Sequence, residues 1–257
     1  MDNFDQIRGE EEEVFLGWDK LFCGSHHSLA TNRGRLYSWG LNDFGQLGTG
    51  DFLKRTAPAL VGHFTDCLAA AAGESHSLAI WNGELFSWGK NSFGQLGFKG
   101  AAREPSPTKV GFGEGWTAVA AGENHSLAIL DGKLFSWGLN SLGQLGLGDT
   151  KNRKVPTQVG SRSDWERVFA CGNQTFALSK GELWGSGDNS RGQLGVGDAV
   201  NRQALTRVEG AQCWINVVAK GSHTIAISKD GLFTWGANSR IDRHTPTLLQ
   251  PLSESTA

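Results

Sequence analysis

Short apolar runs separated by polar, glycine-containing turns are the dominant pattern along this chain. One clear series of four runs lies near its middle, at residues 116–122, 125–130, 133–138 and 155–159. The Asp-Gly pair at 131–132 is a hairpin signal, and large side chains alternate along the third run. Pro156 in the fourth run favours a strand at the edge of a sheet. We therefore expect four short antiparallel strands here. Helices should be few, because no run shows a long 3.6-residue apolar period.

This four-strand unit recurs five times along the chain, and columns of equivalent residues mark the repeat. The aromatic column is Trp39, Trp88, Trp137 and Trp235, spaced by multiples of 49 residues, while the fourth unit carries Trp184 instead. Two further columns keep the same interval: His27, His76, His125, Gln174 and His223, and Gln46, Gln95, Gln144 and Gln193. Four strands in a unit of this length predict a propeller blade. The expected fold class is all-β: a β-propeller of four-stranded antiparallel blades, with five repeats of about 49 residues.

The repeats leave little room for a second domain. We expect a single propeller domain over residues 15–250, between an acidic segment at 1–14 and a short tail at 251–257. Five blades lie within the range of closed propellers, so we expect the first and last units to meet. An open ring, or one completed by another chain, is the alternative. The first residues lack the apolar core of a signal peptide, and no apolar run has the roughly 18 residues of a transmembrane helix.

Composition adds information on the core and on the cellular compartment. The chain has 257 residues with 36 Gly and ten Trp, and its formal net charge of −2 favours neither nucleic acid nor membrane surfaces. We expect Trp137 to be buried between blades, and Trp81 to be more exposed because it lies in the WNGE turn at 81–84. Four cysteines without CxxC spacing are predicted to be reduced core residues of an intracellular protein: Cys23, Cys67, Cys171 and Cys213.

The glycine-rich phrase of the repeat resembles a known family. The stretches LFSWGKNSFGQLG at 85–97 and LFSWGLNSLGQLGLGD at 134–149 are similar to the regulator of chromosome condensation repeat. The resemblance implies a propeller of four-stranded blades in the cytoplasm, the nucleus or both. Members of the family usually have seven blades, whereas five units are present here. The last unit also lacks the GQLG phrase.

The best-known activity of this family is nucleotide exchange on the small GTPase Ran, which uses a hairpin inserted in the propeller. No insertion interrupts the 49-residue interval here, and the N-terminal segment carries Glu10–Glu13 where chromatin-binding members are basic. An acidic segment is repelled by DNA phosphates. The sequence therefore predicts a non-catalytic protein-interaction module, either a scaffold or a regulatory module. A guanine-nucleotide exchange factor for a Ran-like GTPase is the alternative.

Neither of the two polar columns indicates catalysis. A metal needs several ligands that converge on it, whereas each histidine of the column lies in a different blade. We expect these imidazoles to hydrogen-bond within their own blades. Asp51, Asp149 and Asp198 recur beside glycines in one tight turn and are predicted to bond their own backbone. We predict no catalytic residue, no cofactor and no metal site, and hence no enzyme.

Cations recur in the segment that follows the glycine phrase, and this is the feature that indicates binding. The candidate partner-binding residues are Lys54, Arg55, Arg103, Lys151, Arg153, Lys154, Arg202 and Arg243. In a four-stranded meander these segments emerge on one face of the disc, where loops on a rigid scaffold bind partners. The alternative is a solvated rim, diluted by neighbouring acidic residues. We predict a protein partner with an acidic patch, with a small GTPase as an alternative partner, and no binding to membranes or directly to DNA.

Overall fold

The computed structural model of the protein describes residues 17–111, 113–211, 213–237 and 242–251. Its regular structure consists of twenty strands in five four-stranded sheets, each an antiparallel meander of consecutive strands. Sheet 1 comprises β1 (Lys20–Cys23), β2 (His27–Asn32), β3 (Arg35–Gly40) and β4 (Arg55–Leu60). Sheet 2 comprises β5 (Cys67–Ala72), β6 (His76–Trp81), β7 (Glu84–Lys90) and β8 (Arg103–Lys109). Sheet 3 comprises β9 (Trp116–Ala121), β10 (His125–Leu130), β11 (Lys133–Gly138) and β12 (Arg153–Gln158). Sheet 4 comprises β13 (Arg167–Cys171), β14 (Gln174–Ser179), β15 (Glu182–Gly187) and β16 (Arg202–Arg207). Sheet 5 comprises β17 (Trp214–Lys220), β18 (His223–Ser228), β19 (Gly231–Ala237) and β20 (Asp242–Pro251).

The strands form where the apolar pattern predicts them. In sheet 3 the hairpin between β10 and β11 pairs Leu130 with Lys133. Its turn residues Asp131 and Gly132 both have positive φ, at 49° and 72°. A two-residue hairpin loop of type I′ requires positive φ at both of its residues. Pro156 lies in β12, which is an edge strand of its sheet. The four predicted strands of this unit, and the propeller blade that they imply, are therefore confirmed.

The apolar core lies between neighbouring sheets. Trp137 on sheet 3 is fully buried in a cluster with Leu78 and Ile80 of sheet 2, as predicted. The prediction for Trp81 is wrong, because only 1% of this residue is exposed. Asn82 and the glycine after it form the turn, so Trp81 is the last residue of β6 and faces sheet 1. There its ring stacks on Phe64 at a centroid distance of 4.5 Å.

In three units the glycine phrase forms the seat for the tryptophan of the next sheet. The indole Nε1 of Trp137 donates a hydrogen bond to the carbonyl oxygen of Gln95 at 2.9 Å. Gly97 has a φ of +78°, and a β-carbon on it would lie 2.9 Å from that same Nε1. A side chain here would therefore be strained in its backbone and would also displace the indole. The phrase is a packing element, and the same geometry recurs where Trp88 and Trp235 dock.

The sheets surround a common channel. The first strand of every sheet lines it, and the central cavity has a volume of about 270 Å³. Sheets that are consecutive in the chain pack against each other, so each inner strand contacts the next one around the channel. Among the described residues, no β-pairing or hydrogen bond joins sheet 1 to sheet 5.

The side of sheet 5 that faces away from sheet 4 is exposed to solvent. Four large apolar side chains on it, which we call the fifth-sheet face, have exposed fractions of 39–65%: Val218, Ile225, Ile227 and Leu249. On sheet 4 the residues equivalent to Ile225 and Ile227 are Phe176 and Leu178, which are 1% and 4% exposed because sheet 5 covers them. The expected closure of the ring is therefore wrong for the part of the chain that the structure describes, in which sheets 5 and 1 do not pair.

Two further expectations concern the cysteines and the termini. All four cysteines are free, as predicted, but Cys23 and Cys213 are exposed rather than part of the core. Cys67 is half-buried, and burial raises the pKa of its thiol to about 11.

The predicted segment 1–14 lies outside the described residues, and of the predicted tail only Pro251 lies within them. The described part of the chain contains no helix with the length and apolarity to cross a bilayer.

Candidate functional site: the loop face

One face of the assembly carries two kinds of connection from every sheet. The first and third strands of a meander run in the same direction, so the connections after them emerge on the same side. We call this side the loop face. Its long connections, from the third to the fourth strand, contact the neighbouring sheet: Gly148 N–H donates to the Gln203 carbonyl at 2.8 Å, and Gly197 N–H donates to the His244 carbonyl at 2.9 Å. These long connections therefore reach the fourth strand of the next sheet.

A buried asparagine organises the long connection of sheets 1, 3 and 4. In sheet 3 the amide nitrogen of Asn140 donates to the carbonyl oxygens of Asp149 and Lys151, and its Oδ1 accepts the Leu145 N–H at 2.9 Å. The Asp149 carboxylate in turn accepts the Lys151 N–H and pairs with Arg153 at 2.7 Å. We call this arrangement an Asn–Asp–Arg cluster. It recurs in sheet 1 with Asn42, Asp51 and Arg55, and in sheet 4 with Asn189, Asp198 and Arg202.

The clusters explain both the aspartate column and part of the cation column. Hydrogen bonding to Arg55 lowers the pKa of the Asp51 carboxyl to about 2, and Arg153 and Arg202 lower the pKa of Asp149 and Asp198 in the same way. The aspartates accept hydrogen bonds from their own backbone, as predicted. The arginines each bind a carboxylate and a carbonyl of the same loop. Their first role is therefore to hold these connections in shape.

The predicted cations fall into four environments. Arg55, Arg153 and Arg202 belong to the Asn–Asp–Arg clusters. Arg103 lies over the Phe52 ring at 4.1 Å and donates to the Asp43 carbonyl, which ties sheet 2 to sheet 1. Arg243 is half-buried on β20. The exposed cations without an ionic partner among the described residues are Lys54, Lys151 and Lys154.

The mouth of the channel opens on the same face and is partly acidic. The connections from first to second strands surround a cavity of about 700 Å³. Glu74 and Glu123 line it, and each accepts a hydrogen bond from the asparagine of the next sheet, Asn124 and Asn173 respectively. Lys220 lies on the same rim. The loop face thus combines acidic groups near its axis with basic groups on its outer connections.

The histidine column joins the sheets together. The Nε2 of His27 lies 2.8 Å from Ser77 Oγ on sheet 2, whose single proton is donated to the Gln46 carbonyl. The imidazole is therefore the donor, and the same bond joins His76 to Ser126 and His125 to Thr175. The expectation that each imidazole bonds within its own blade is thus wrong for these three. Burial lowers the pKa of His27 and His125 to about 4, so the rings are neutral at physiological pH.

No metal centre accompanies these histidines in the part of the chain that the structure describes, since no three His, Cys, Asp or Glu side chains converge there. Sequence reasoning missed the buried asparagines and the Ser/Thr acceptors. Both had a usable signal, because Asn42, Asn140 and Asn189, like Ser77 and Ser126, recur at multiples of 49 residues. Their role became visible only when the loops were seen to fold back on the amide groups.

Comparison with known proteins agrees with this architecture. The family model of the regulator of chromosome condensation (RCC1) repeat matches residues 33–80, 82–129 and 131–178, more than half of the chain. A second model of the same repeat matches residues 18–46 and 116–144. This chain belongs to the RCC1 repeat family. The resemblance seen in the sequence is thereby confirmed. Each matched repeat spans the third and fourth strands of one sheet and the first and second strands of the next.

Solved structures with RCC1-type propellers are similar over most of the chain. Human WBSCR16 is 25% identical over an alignment that covers 91% of this chain and 67% of that one, with a TM-score of 0.80. Yeast RCC1 (Prp20), solved with bound Kap60, is 20% identical with a TM-score of 0.58, covering 91% of this chain and 75% of that one. Prp20p from Saccharomyces cerevisiae, reported with its binding properties to Gsp1p and histones, is 21% identical with a TM-score of 0.57, covering 90% and 76%. At these last two identities the likeness shows the fold alone.

Curated relatives match over shorter stretches. A protein RCC2 homolog from Danio rerio is 45% identical over 51 residues, which are 20% of this chain and 10% of that protein. The Homo sapiens E3 ubiquitin-protein ligase HERC2 is 48% identical over 42 residues, which are 16% of this chain and 1% of that protein. The chain therefore aligns with only a small part of the length of these RCC1-repeat relatives.

Proposed function

We propose that this chain is a non-catalytic protein-interaction propeller that binds an acidic protein surface through the loop face. The observation that carries the proposal is a contrast between two features of the loop face. Side-chain hydrogen bonds fix the backbone of its loops, while three of its lysines are exposed to solvent. The Asn–Asp–Arg clusters fix the backbone of the long connections, while Lys54 and Lys151 on these connections and Lys154 on β12 are exposed to solvent. A partner would therefore meet preformed loops and pay little for ordering them.

The proposal also draws on what related propellers bind. Yeast RCC1 was solved in complex with Kap60, and Prp20p was reported with binding to Gsp1p and histones. Protein binding by propellers of this fold is thus a reasonable model for this chain. The partner is defined here by chemistry: a surface with carboxylates placed to meet the three lysines.

The lysines are better test positions than the arginines of the same loops. Arg55, Arg153 and Arg202 each pair with an aspartate 2.7–2.8 Å away and hold their loops. Reversal would disturb the loop and its charge together. The triple variant Lys54→Glu, Lys151→Glu and Lys154→Glu changes the charge and leaves the clusters in place.

The test is an affinity capture of partners, compared by quantitative mass spectrometry, with wild-type and variant chains as bait. The matched control is Arg35→Glu, Lys133→Glu and Lys229→Glu, three exposed cations on the opposite face with the same total change in charge. We expect the control to retain the wild-type partners and the lysine variant to lose them. For a partner so identified, the association rate should fall as salt rises, because exposed charges mainly steer association. Retention of all partners by the lysine variant would contradict the proposal.

Nucleotide exchange remains the alternative function, and a direct assay separates it from the first. We expect no acceleration of nucleotide release from a Ran-type GTPase by the purified chain, because no insertion interrupts the 49-residue interval. The measurement follows the release of a fluorescent guanine nucleotide at stoichiometric protein. A clear acceleration would replace the interaction module by an exchange factor.

A further inference from the structure

The fifth-sheet face has the composition of a buried interface, yet it is exposed. Val218 and Leu249 are 65% and 54% exposed. The residues equivalent to Leu249 on the first four sheets are Val61, Val110, Val159 and Val208, which are at most 4% exposed. The face therefore repeats the half of an interface that every other sheet buries against its successor.

The four internal interfaces show what covers such a face. The covering sheet presents a hydroxyl and an alanine on its second strand, for example Ser126 and Ala128 on sheet 3. In three of the four interfaces it also presents a tryptophan on its third strand: Trp88, Trp137 and Trp235. The hydroxyl accepts the bond from the imidazole, and the alanine leaves room for the apolar side chains opposite. These features define the chemistry that the fifth-sheet face would recognise.

His223, at the end of the array, does not make the hydrogen bond to a following sheet that its equivalents make. Its equivalents on sheets 1 to 3 donate from Nε2 to a Ser or Thr hydroxyl on the next sheet. His223 instead lies 3.1 Å from Thr234 Oγ1 on its own sheet. The hydroxyl of Thr234 donates to the Thr224 carbonyl, so the imidazole is again the donor. Among the described residues no further sheet offers His223 a hydroxyl, and its hydrogen-bond partner is the local Thr234.

We propose that the fifth-sheet face docks a four-stranded blade of the same repeat, contributed by a partner polypeptide. The partner presents Ser or Thr and Ala on its second strand, so that the hydroxyl accepts from His223 and the alanine covers Ile225 and Ile227. Propellers typically contain four to eight blades, so a partner in the same ring has room for one to three blades. A second copy of this chain would bring five. The occupant is therefore a segment of one to three repeats, independent of whatever binds the loop face.

An extended chain tests whether this face accepts a blade. Residues 67–158, which form sheets 2 and 3, are appended after Ala257. Residues 252–257 then provide a linker of six residues, the same length as residues 61–66 between sheets 1 and 2. Ile225→Cys is introduced in both the original and the extended chain, and thiol labelling is followed by peptide-resolved mass spectrometry. We expect labelling at position 225 to be at least tenfold slower in the extended chain.

Two controls make the result specific. Val200→Cys, at a position 61% exposed on sheet 4's loop, should label at the same rate in both chains. An extension that carries Ala79→Lys in its appended copy should restore fast labelling at position 225. Equal labelling at position 225 in the original and the extended chain would overturn the proposal. Light scattering on the original chain should show a monomer, and a dimer that Ile225→Asp dissociates would overturn it in favour of a second copy.

Discussion

At the scale of single residues, the tryptophan and histidine columns connect one sheet to the next. A tryptophan on the third strand reaches back to a glutamine carbonyl of the preceding sheet, and a histidine on the second strand reaches forward to a hydroxyl. Sheets 2, 3 and 4 are therefore held from both sides by buried hydrogen bonds. The bonds are set in apolar surroundings, where an unpaired polar group is costly.

Trp137→Ala should destabilise the protein by about 3–5 kcal/mol, because it removes a fully buried aromatic side chain and the bond to Gln95. We expect a similar loss for Trp81→Ala, which is buried to the same degree. Denaturant unfolding followed by circular dichroism measures both. The control Val200→Ala changes an exposed side chain and should cost less than about 0.5 kcal/mol. A small effect of Trp137→Ala would contradict the proposed packing.

The buried histidines should make stability fall with acidification. The unfolded chain binds protons at histidine near pH 6.5, whereas burial lowers the pKa of His125 to about 4 in the folded state. The contribution of neutral, buried His125 to the free energy of unfolding is thus fully present above pH 6.5 and is lost as pH falls towards 4. Between pH 7 and pH 5 this histidine alone should account for about 2 kcal/mol of lost stability.

His125→Gln tests this assignment, since Gln174 occupies the same column in sheet 4. The loss of stability between pH 7 and pH 5, measured by denaturant unfolding, should shrink by about 2 kcal/mol in the variant. Val200→Ala, which changes an exposed apolar side chain, serves as the control and should keep the wild-type pH dependence. Identical pH profiles for His125→Gln and wild type would show that His125 is not held neutral by burial.

At the scale of elements, the long connections are as ordered as the strands that they join. In sheet 3 the connection between β11 and β12 is closed by Asn140, Asp149 and Arg153 through side-chain bonds to its own backbone. Backbone groups that no strand satisfies are thereby paired. This order is what allows a loop to present lysines at defined positions.

Asp149→Ala should open this connection without unfolding the sheet. The substitution removes the acceptor for the Lys151 N–H and for Arg153, so hydrogen exchange at the Lys151 amide should become faster. Exchange in β10 should not change. Lys151→Ala, which removes an exposed side chain and leaves the carboxylate, is the control. Unchanged exchange at position 151 in Asp149→Ala would show that the aspartate does not hold the loop.

At the scale of the whole molecule, the sheets form an open array in which the end sheets have one neighbour and the middle sheets have two. In repeat arrays stability is approximately a sum of repeat and nearest-neighbour terms. Sheet 5 lacks the second interface, as the exposure of its apolar face shows. We therefore expect it to be among the least stable parts of the array.

Hydrogen exchange measures this difference directly. Amides of β18 in sheet 5 should exchange faster than the equivalent amides of β10 in sheet 3, because opening sheet 5 breaks one interface rather than two. The two strands have six residues each and the same hairpin pairing, which makes them a matched pair. Equal protection of β10 and β18 would indicate that the array unfolds as one unit. It would also show that the missing second interface does not lower the local stability of sheet 5.

Much of this architecture follows from the sequence. Period-two alternation, the Asp-Gly turn and the 49-residue interval predict the strands and the blade, because strand pairing within a meander is local and each signal lies within a few residues of its partner. The family resemblance rests on the same local phrases. The turn role of Asp149 was equally readable, since its backbone acceptor bond spans two residues.

Other features were decided only by the packing of one sheet on another. Trp81 is followed by a turn, yet it is buried because the side chain of the last strand residue faces sheet 1. The histidines bond across the interface to residues 50 positions away, a contact that no local pattern encodes. The number of repeats likewise did not decide whether the ring closes. No β-pairing or hydrogen bond among the described residues joins sheets 1 and 5, and Ile225 and Ile227 stay exposed. Such a contact would join residues far apart in the chain, and no local pattern specifies it.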